Sequence, residues 1–236
     1  MFSETAALYD LIYGQFKDYE AETGKVATLL TSARPGLRTV LDVACGTGEH
    51  ARLLRERHGL LVDGIDLEPA FVEIAQAKNL GGRFVLADMC DFDLGRQYDA
   101  VTCLFSSIAY VGTIDRLGQA IGRFRDHLAP RGVIVVEPWF APGVMENGRR
   151  SSDVGEGPDV RVERHARTEI DGRMSRIHFD YDIVDHGRSY RTSEVHELAL
   201  FTPDEMRAAF EANGLGVDYD PQGLIGRGLY VARHAG

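Results

Sequence analysis

Hydrophobic residues in the first part of the chain follow two alternating patterns, one typical of helices and one typical of buried strands. Apolar residues at helical spacing predict helices over residues 17–32, 49–58, 69–78 and 114–128. Short β-branched or continuously apolar runs predict strands over residues 39–43, 60–65, 83–87, 98–105 and 133–137. This alternation indicates a parallel sheet with helices on both faces, which binds ligands beyond the carboxyl ends of its strands.

A different pattern begins at residue 141. Residues 141–158 are rich in Gly, Pro and Ser, and they predict a mobile loop. Period-two alternation then predicts antiparallel strands over residues 160–169, 174–184 and 190–201, with turns at residues 171–172 and 186–187. We interpret this insertion as a lid over the ligand site.

The end of the chain returns to the first pattern. Thr202 is the predicted N-cap of a helix, and strands over residues 215–219 and 228–233 complete the main sheet. A chain of 236 residues is long enough for one α/β domain with a lid. We therefore predict a single domain over residues 1–236, which comprises an N-terminal helical segment (1–35), a core (36–140 and 202–236) and an antiparallel lid (141–201).

The charge balance argues against some functions. The chain has 26 Lys and Arg residues against 36 Asp and Glu, a formal net charge of -10. Because proteins that bind nucleic acid through its phosphates normally have a basic surface, we expect no nucleic-acid partner. The N-terminus lacks the features of a signal peptide, and no apolar run approaches the ~20 residues that span a bilayer. We therefore expect a cytoplasmic protein without a membrane partner.

The cysteines and histidines give no sign of a metal site. Cys45, Cys90 and Cys103 form no CxxC pair, which favours reduced thiols over a disulfide or a zinc site. The lid histidines lack the spacing of metal ligands. We interpret them as solvent-facing or structural; they are His165, His178, His186 and His196.

The candidate chemistry centres on a glycine turn between the first predicted strand and the next helix. Gly46 and Gly48 allow a backbone conformation that other residues resist and a close approach to a ligand, and Ala44 lies in the same turn. The amides at the start of the following helix face such a ligand. Asp42 places a carboxylate at the end of the strand, where it could engage the positively charged amino-acid end of S-adenosylmethionine (SAM).

Two further acids end the next two predicted strands. Asp66 lies at the position from which an acid accepts hydrogen bonds from both ribose hydroxyls of a nucleoside. Asp88 could accept a hydrogen bond from an adenine amino group, while Leu67 and Met89 pack on the ring. Any one of these acids could simply cap a loop. Three of them at consecutive strand ends favour one ligand, because they match its methionine end, its ribose and its base.

A nicotinamide cofactor is the rival interpretation. Gly46, Gly48 and Ala51 also fit the dinucleotide fingerprint G-x-G-x-x-G/A, which alone is a weak signal. However, the Asp42 carboxylate precedes the glycines, where it would repel a pyrophosphate, and Asp88 supplies a third acidic strand end. Both features favour SAM.

Several other segments extend the pattern over nearly the whole chain. They are Leu8–Asp10, Lys17–Tyr19, Leu41–Gly48, Asp88–Met89, Val101–Ile108, Val135–Trp139 and Gly226–Leu229. With these segments the chain resembles class I SAM-dependent methyltransferases, and most of all the N,N-dimethyltransferases of nucleotide-linked (TDP) amino sugars. The glycine motif is specific only for the superfamily, whereas Phe-Ser-Ser-Ile, Val-Glu-Pro-Trp and Gly-Arg-Gly-Leu are narrower. The resemblance implies a Rossmann-like, doubly wound α/β fold with a mostly parallel, seven-stranded sheet.

The resemblance also implies roles for individual residues. Tyr9 and Leu104 match positions that contact SAM in that family. Tyr19 would line the sugar pocket, Trp139 would serve the substrate and Arg227 would meet a diphosphate. From the residues alone, Trp139 could equally be plain packing, and Arg227 could be solvated or paired.

The chain departs from the family pattern at two places near the expected reacting amine. The sugar enzymes have Gly-His after Ser-Ser-Ile, whereas this chain has Ala109 and Tyr110, and they have a tyrosine where this chain has Phe2. Methyl transfer to an amine mainly requires alignment and exclusion of water, and a dedicated base is optional. We hypothesise that the Tyr110 hydroxyl orients the acceptor or accepts a proton through water; a plain pocket wall is the alternative.

Glu137 could bind an ammonium substrate or form a structural hydrogen bond.

These features predict a SAM-dependent methyltransferase of a small molecule, with N-methylation of an amino sugar or another small amine as the leading hypothesis. O-methylation of a natural-product hydroxyl is the alternative enzyme activity. A non-catalytic SAM-binding regulator is the alternative of a different class. We further expect a small-molecule acceptor, which a nucleotide-linked amino sugar would satisfy, and a homodimer is an open possibility.

Overall fold

The computed structural model describes residues 5–78 and 81–236. The helices are α1 Tyr9–Tyr13, α2 Tyr19–Ala33, α3 Glu49–His58, α4 Pro69–Ala77, α5 Ile114–Asp126 and α6 Pro203–Ala212, with short 3-10 helices at Ala6–Leu8 and Ser107–Val111. The strands are β1 Thr39–Val43, β2 Leu61–Asp66, β3 Phe84–Leu86, β4 Tyr98–Cys103, β5 Leu128–Val136, β6 Arg150–Glu156, β7 Val160–Asp171, β8 Met174–Asp185, β9 Arg188–Ala199, β10 Leu215–Asp220 and β11 Leu229–His234. Phe2, where the chain departs from the family pattern, lies outside the described residues.

Within the described residues, the strands form two separate sheets. The larger has seven strands in the order β10-β11-β5-β4-β1-β2-β3. Strands β1 to β5 run parallel, and β11 runs antiparallel to both β5 and β10. The predicted doubly wound, mostly parallel sheet is therefore confirmed. Its topology brings the carboxyl ends of β1, β2, β3 and β4 to one edge.

Helices cover both faces of this sheet through regularly spaced apolar side chains. On α5, Leu117, Ile121 and Phe124 recur at i, i+4 and i+7, are fully buried and pack with Phe210 of α6. The opposite face buries residues of α2, α3 and α4, among them Leu30. Two complete apolar layers hold the strand ends in place.

The smaller sheet is an antiparallel meander of β6, β7, β8 and β9. The predicted mobile loop over residues 141–158 is wrong for Arg150–Glu156, which pairs along its length with β7. The segment is polar because it is an edge strand, which has a partner on one side only. Gly155 lets α1 cross it closely, since a Cβ there would lie 3.1 Å from the Leu11 carbonyl oxygen.

The predicted N-terminal helical segment 1–35 is divided between two packing environments. Ile12 and Tyr13 of α1 pack in a cluster with Phe179 and Tyr181 of the lid sheet, whereas α2 packs on the main sheet. Helix α1 therefore connects the lid to the core and closes one side of the space between them.

Smaller differences concern the ends of elements. Strand β5 begins at Leu128, before the predicted strand over residues 133–137, and it contains a bulge: Tyr98 pairs with Leu128, but Ala100 pairs with Val133. The Thr202 cap is confirmed, since its hydroxyl accepts from the Glu205 amide at 3.2 Å. No helix among residues 5–78 and 81–236 is long and apolar enough to cross a membrane.

Candidate functional site

A cavity of about 740 Å³ lies between the carboxyl edge of the main sheet and the lid. Its volume is in the range of small-ligand sites. Many residues predicted for the site line it: Tyr9, Ala44, Gly46, Asp66, Leu67, Asp88, Met89, Tyr110, Trp139 and Arg227. Others do not line it: Tyr19, Asp42, Gly48, Leu104 and Glu137.

The glycine turn exposes its backbone to this cavity. Ala44, with φ 55°, and Gly46, with φ 56°, both have left-handed conformations. The Cys45 amide donates to the Ile65 carbonyl at 2.9 Å, and the Gly46 amide donates to Asp66 Oδ2 at 2.8 Å. An added Cβ at Gly46 would meet nothing within 4 Å, so the space above the turn is open to a ligand.

Asp66 and Asp88 present carboxylates to the cavity. The Glu68 amide donates to the second Asp66 oxygen at 2.9 Å, and burial raises the pKa of Asp66 although backbone hydrogen bonds oppose the shift. Burial alone would raise the pKa of Asp88, but hydrogen bonds from the Cys90 amide and from Arg116 hold it below its ordinary value. Arg116 was not predicted as a site residue, and its guanidinium lies 2.7 Å from Asp88 Oδ2. Each carboxylate oxygen still has capacity for a ligand donor.

Asp42 lies behind the glycine turn rather than in the cavity wall. It is buried, and the Thr102 hydroxyl donates to its Oδ1 at 2.8 Å. Burial raises the pKa of Asp42 to about 6, although His50 and Thr102 oppose the shift. Direct contact with the amino-acid end of SAM therefore remains a prediction for this residue.

Replacing Asp42 by asparagine should make the protein more stable above pH 6 and weaken SAM binding. Because the folded pKa is raised, the contribution of Asp42 to stability is complete below about pH 4 and is lost as the pH rises through 6. Asparagine can accept from Thr102 without a charge, so the gain in the free energy of unfolding is at most about 3 kcal/mol at pH 8 and absent at pH 4. Urea unfolding of both proteins at the two pH values measures this difference; an asparagine variant that is less stable at pH 8 contradicts the assignment.

The far end of the cavity is aromatic and basic. The Arg227 guanidinium lies 5.2 Å from the Trp139 ring centre and 5.4 Å from that of Phe105, and its Nη1 donates to Ser106 Oγ at 3.1 Å. Burial lowers the pKa of Arg227, although Glu137 opposes the shift. Within residues 5–78 and 81–236, neither Arg227 nor the exposed Arg149, which also lines the cavity, forms an ion pair. The indole N–H of Trp139 is buried and has no hydrogen-bond partner in the same residues.

Glu137 and Tyr19 support this end of the cavity from behind. Glu137 Oε2 accepts from the Phe105 amide at 2.7 Å, which fixes a residue with a left-handed φ of 53°. Burial raises the pKa of Glu137 although Arg227 opposes the shift. The Tyr19 ring packs edge-on against His50 at 5.0 Å, and Lys17 lies 4.9 Å from its centre. Substrate contact by Glu137 and Tyr19 remains a prediction.

The lid contributes residues that the sequence did not predict for the site. His196 was interpreted as solvent-facing or structural, but it is buried, lines the cavity and has its Nδ1 2.7 Å from Tyr110 Oη. Arg164 is buried beside Tyr13 and pairs with Asp153 at 2.7 Å. The signal for His196 lies in the alternation of β9, where residues 194, 196 and 198 share the buried face.

The N-terminal segment is joined to the glycine turn by a charged cluster. Asp10 of α1 accepts from the Thr47 hydroxyl at 2.5 Å and pairs with Lys78 at 2.9 Å, and Lys78 pairs with Glu49 at 3.2 Å. Tyr9, the neighbour of Asp10, packs edge-on against Phe71 at 5.0 Å. Helix α1 is therefore held against the glycine turn and α4 by these contacts.

The two ends of the cavity thus differ in chemistry. The end at the strand tips offers carboxylates, an open backbone and the apolar side chains of Leu67 and Met89, a donor set that fits a cationic nucleoside such as SAM. The opposite end offers guanidinium groups, aromatic rings and an indole donor, a set that fits an anionic partner.

Comparisons with known proteins find methyltransferases by both sequence and structure. A family model described as a methyltransferase domain matches residues 40–132. The chain is 39% identical over 228 residues to the dTDP-3-amino-3,4,6-trideoxy-alpha-D-glucopyranose N,N-dimethyltransferase of Streptomyces venezuelae, which covers 96% of each chain. The crystal structure of Streptomyces venezuelae DesVI aligns with a TM-score of 0.92 at 38% identity and covers 98% of this chain and 99% of that chain. The SAM-bound structure of CalS10, an amino pentose methyltransferase from Micromonospora echinaspora, aligns with a TM-score of 0.84 at 36% identity. The alignment covers 96% of this chain and 94% of that chain.

Proposed function

Because the chain belongs to the family of SAM-dependent methyltransferases that includes the sugar N,N-dimethyltransferases, we propose that it methylates the amino group of a nucleotide-linked amino sugar. The relative from Streptomyces venezuelae is named for a dTDP-linked 3-amino sugar, and the similarity extends over 96% of both chains. The similarity therefore extends beyond residues 40–132, which the methyltransferase-domain model matches, to the segments that form the lid and the end of the main sheet.

The observation that carries this proposal is that Arg227 places a positive charge in the cavity wall without an ion-pair partner among the described residues. Its guanidinium is largely buried among aromatic rings, lines the cavity and forms no ion pair with any residue that the structure describes. An unpaired buried charge is costly, so such a site is best explained by an anionic ligand that supplies the missing charge. A diphosphate fits the fork geometry of a guanidinium, and Arg149 adds a second positive charge.

The chain's own residues hold the methyl donor at the other end. We propose that Asp66 accepts from the ribose, that Asp88 accepts from the adenine amino group, and that Leu67 and Met89 pack on the ring. When bound, SAM supplies a methyl group on a positively charged sulfur. The lid and α1 exclude water from the space between donor and acceptor, which favours an in-line displacement. Tyr110 lines this space, where its hydroxyl can orient the acceptor amine.

Two further predictions accompany this function. The three cysteines in the described residues are free and buried, as expected for reduced thiols, and this supports a cytoplasmic location. A homodimer remains a prediction.

An acceptor screen that detects S-adenosylhomocysteine tests the proposal. The set comprises dTDP-linked 3-amino and 4-amino deoxysugars, the same amino sugars without the nucleotide, dTDP-glucose and a panel of phenols. We expect product with the nucleotide-linked amino sugars, little product with the free sugars and none with dTDP-glucose, which lacks the amine. Mass spectrometry should show one methyl group added and then a second. Product with phenols alone, or no product with any amino sugar, contradicts the proposal.

A further inference from the structure

Three polar side chains form a continuous chain between the cavity and the interior of the lid. Tyr110 Oη lies 2.7 Å from His196 Nδ1, and His196 Nε2 lies 3.2 Å from Glu194 Oε2. The other Glu194 oxygen accepts from the Thr5 hydroxyl. His196 is 2% exposed and Glu194 is 8% exposed. Tyr110 and His196 line the cavity, whereas Glu194 lies behind them.

The chemistry of these groups fixes the direction of the hydrogen bonds. A carboxylate can only accept, so the proton of a neutral His196 lies on Nε2, next to Glu194. Nδ1 is then an acceptor, and the Tyr110 hydroxyl donates to it. This leaves the lone pairs of the Tyr110 oxygen as acceptors for a group in the cavity. In this order of groups, carboxylate to imidazole to hydroxyl, the imidazole is placed to accept the hydroxyl proton and the carboxylate to stabilise the resulting imidazolium.

A second histidine–glutamate pair on the same sheet shows what a structural pair looks like. His178 and Glu169 also lie 3.2 Å apart, but their side chains are 28% and 44% exposed, and neither lines the cavity. Burying an ionisable pair costs more than leaving it in solvent. The buried pair at residues 194 and 196 therefore calls for an explanation that the exposed pair does not need.

We propose that Tyr110, His196 and Glu194 form a relay that removes the proton from the methylated amine. The inference rests on the proposed function, since it assigns a partner to the acceptor nitrogen. As the nitrogen bonds to the methyl carbon, the carbon–sulfur bond breaks and its electron pair stays on sulfur, which leaves the nitrogen positively charged. The nitrogen proton passes to Tyr110 Oη, the hydroxyl proton passes to His196 Nδ1, and the Glu194 carboxylate stabilises the imidazolium until it releases its proton to water. Tyr110 is the group that touches the substrate, and His196 and Glu194 act through it.

A second methyl transfer to the same nitrogen would require a group that removes a proton. Each methyl transfer leaves the product nitrogen with an extra proton and no free electron pair. A second transfer to the same nitrogen requires that this proton leave first. A relay that leads from the cavity wall to His196 and Glu194 takes this proton away and restores the free electron pair of the nitrogen.

The other titratable groups near the relay are less suited to receive the proton. The titratable groups that face the relay are Tyr9 and Tyr13 from α1, Asp66 from β2, Asp153 from β6, Arg164 from β7, Tyr181 from β8 and Glu194 from β9. Asp153 is paired with Arg164 at 2.7 Å, and Asp66 is bound to the Gly46 and Glu68 amides. Burial raises the pKa of each of these tyrosines above its ordinary value. The imidazole of His196 is therefore the group best suited to receive the proton.

The test measures kcat against pH at saturating SAM and dTDP-amino sugar for the wild type and for Tyr110→Phe, His196→Asn and Glu194→Gln. The wild type should form mainly the dimethylated product. We expect kcat to fall about 100-fold in Tyr110→Phe and His196→Asn, with little change in KM. Glu194→Gln should lower kcat less, because the imidazole is still present but its imidazolium form loses its counter-charge. All three variants should accumulate the monomethylated product.

Two controls separate a relay from a structural effect. His178→Asn removes the imidazole of the exposed pair and should leave kcat and its pH profile unchanged. His196→Ala leaves a gap beside Tyr110, and added imidazole should restore part of its turnover. Variants with wild-type kcat, pH profile and product ratio overturn the relay while the wild type still forms product. Absence of product from the wild type on every amino sugar overturns the proposed function itself, and with it the relay.

Discussion

Replacing Asp66 by alanine is expected to weaken SAM binding at least 100-fold. One Asp66 oxygen holds the Gly46 amide at 2.8 Å and the other holds the Glu68 amide at 2.9 Å, while the carboxylate also lines the cavity. The variant therefore loses the ribose contact and also the restraint on the glycine turn. Hydrogen bonds to a charged group contribute ~1.5–3 kcal/mol each, so two ribose contacts account for roughly 3–6 kcal/mol of binding. Isothermal titration with SAM measures the change.

Asp63 on the same strand provides the matched control. It accepts from the Tyr98 hydroxyl at 2.7 Å at the opposite end of β2 and does not line the cavity. Asp63→Ala should lower the free energy of unfolding but leave the affinity for SAM unchanged. Asp66→Asn keeps one acceptor oxygen and should bind with an affinity between those of the wild type and the alanine variant. Equal SAM affinity in the wild type and Asp66→Ala contradicts the proposed nucleoside site.

The main sheet could be predicted because its strands are buried on both faces. Strands such as Thr39–Val43 consist largely of apolar and β-branched residues, and no other element gives that pattern in so short a run. The order of strands and helices then predicts that Asp66 and Asp88 lie at the same edge of the sheet, and both line the cavity there. The resemblance added Tyr9, Trp139 and Arg227, which the pattern of hydrophobic residues could not have found.

Strand β6 could not be predicted because it has little apolar signal of its own. Gly155 is its one buried residue, and its backbone pairs with β7. The position of His196 in the cavity wall could not be predicted for a related reason. A histidine in an alternating strand can face either side, and only packing against Tyr110 and Phe179 shows which side is the cavity.

Three of the five predicted residues that do not line the cavity share a physical cause. Asp42, Leu104 and Glu137 are buried at or just after the carboxyl ends of β1, β4 and β5, behind the cavity wall. A motif marks residues that a site requires, and it does not separate those that touch the ligand from those that shape the turn. Glu137 illustrates this, because its carboxylate fixes the strained Phe105 from behind.

Replacing Arg227 by alanine is expected to raise the KM for a dTDP-amino sugar about 100-fold and to leave the affinity for SAM unchanged. Truncating a buried charge that meets an opposite charge costs ~2–5 kcal/mol, since the partner is left unpaired. The effect should fall on substrate binding because Arg227 lines the aromatic end of the cavity, away from Asp66 and Asp88. Steady-state kinetics with the nucleotide-linked sugar, together with SAM titration, measures both quantities.

The free amino sugar shows whether the diphosphate is the partner. The wild type should prefer the nucleotide-linked sugar over the free sugar, and Arg227→Ala should lose most of that preference, because the two substrates differ in the group that Arg227 binds. Arg227→Lys keeps the charge but not the planar fork or the stacking on Trp139, so it should recover only part of the loss. Arg161, which is paired with Glu156 and Glu163 on the lid outside the cavity, is the matched control, and Arg161→Ala should leave both KM values unchanged. If Arg227→Ala slowed both substrates by the same factor, the guanidinium would be shaping the cavity through Trp139 and Phe105 rather than binding a phosphate.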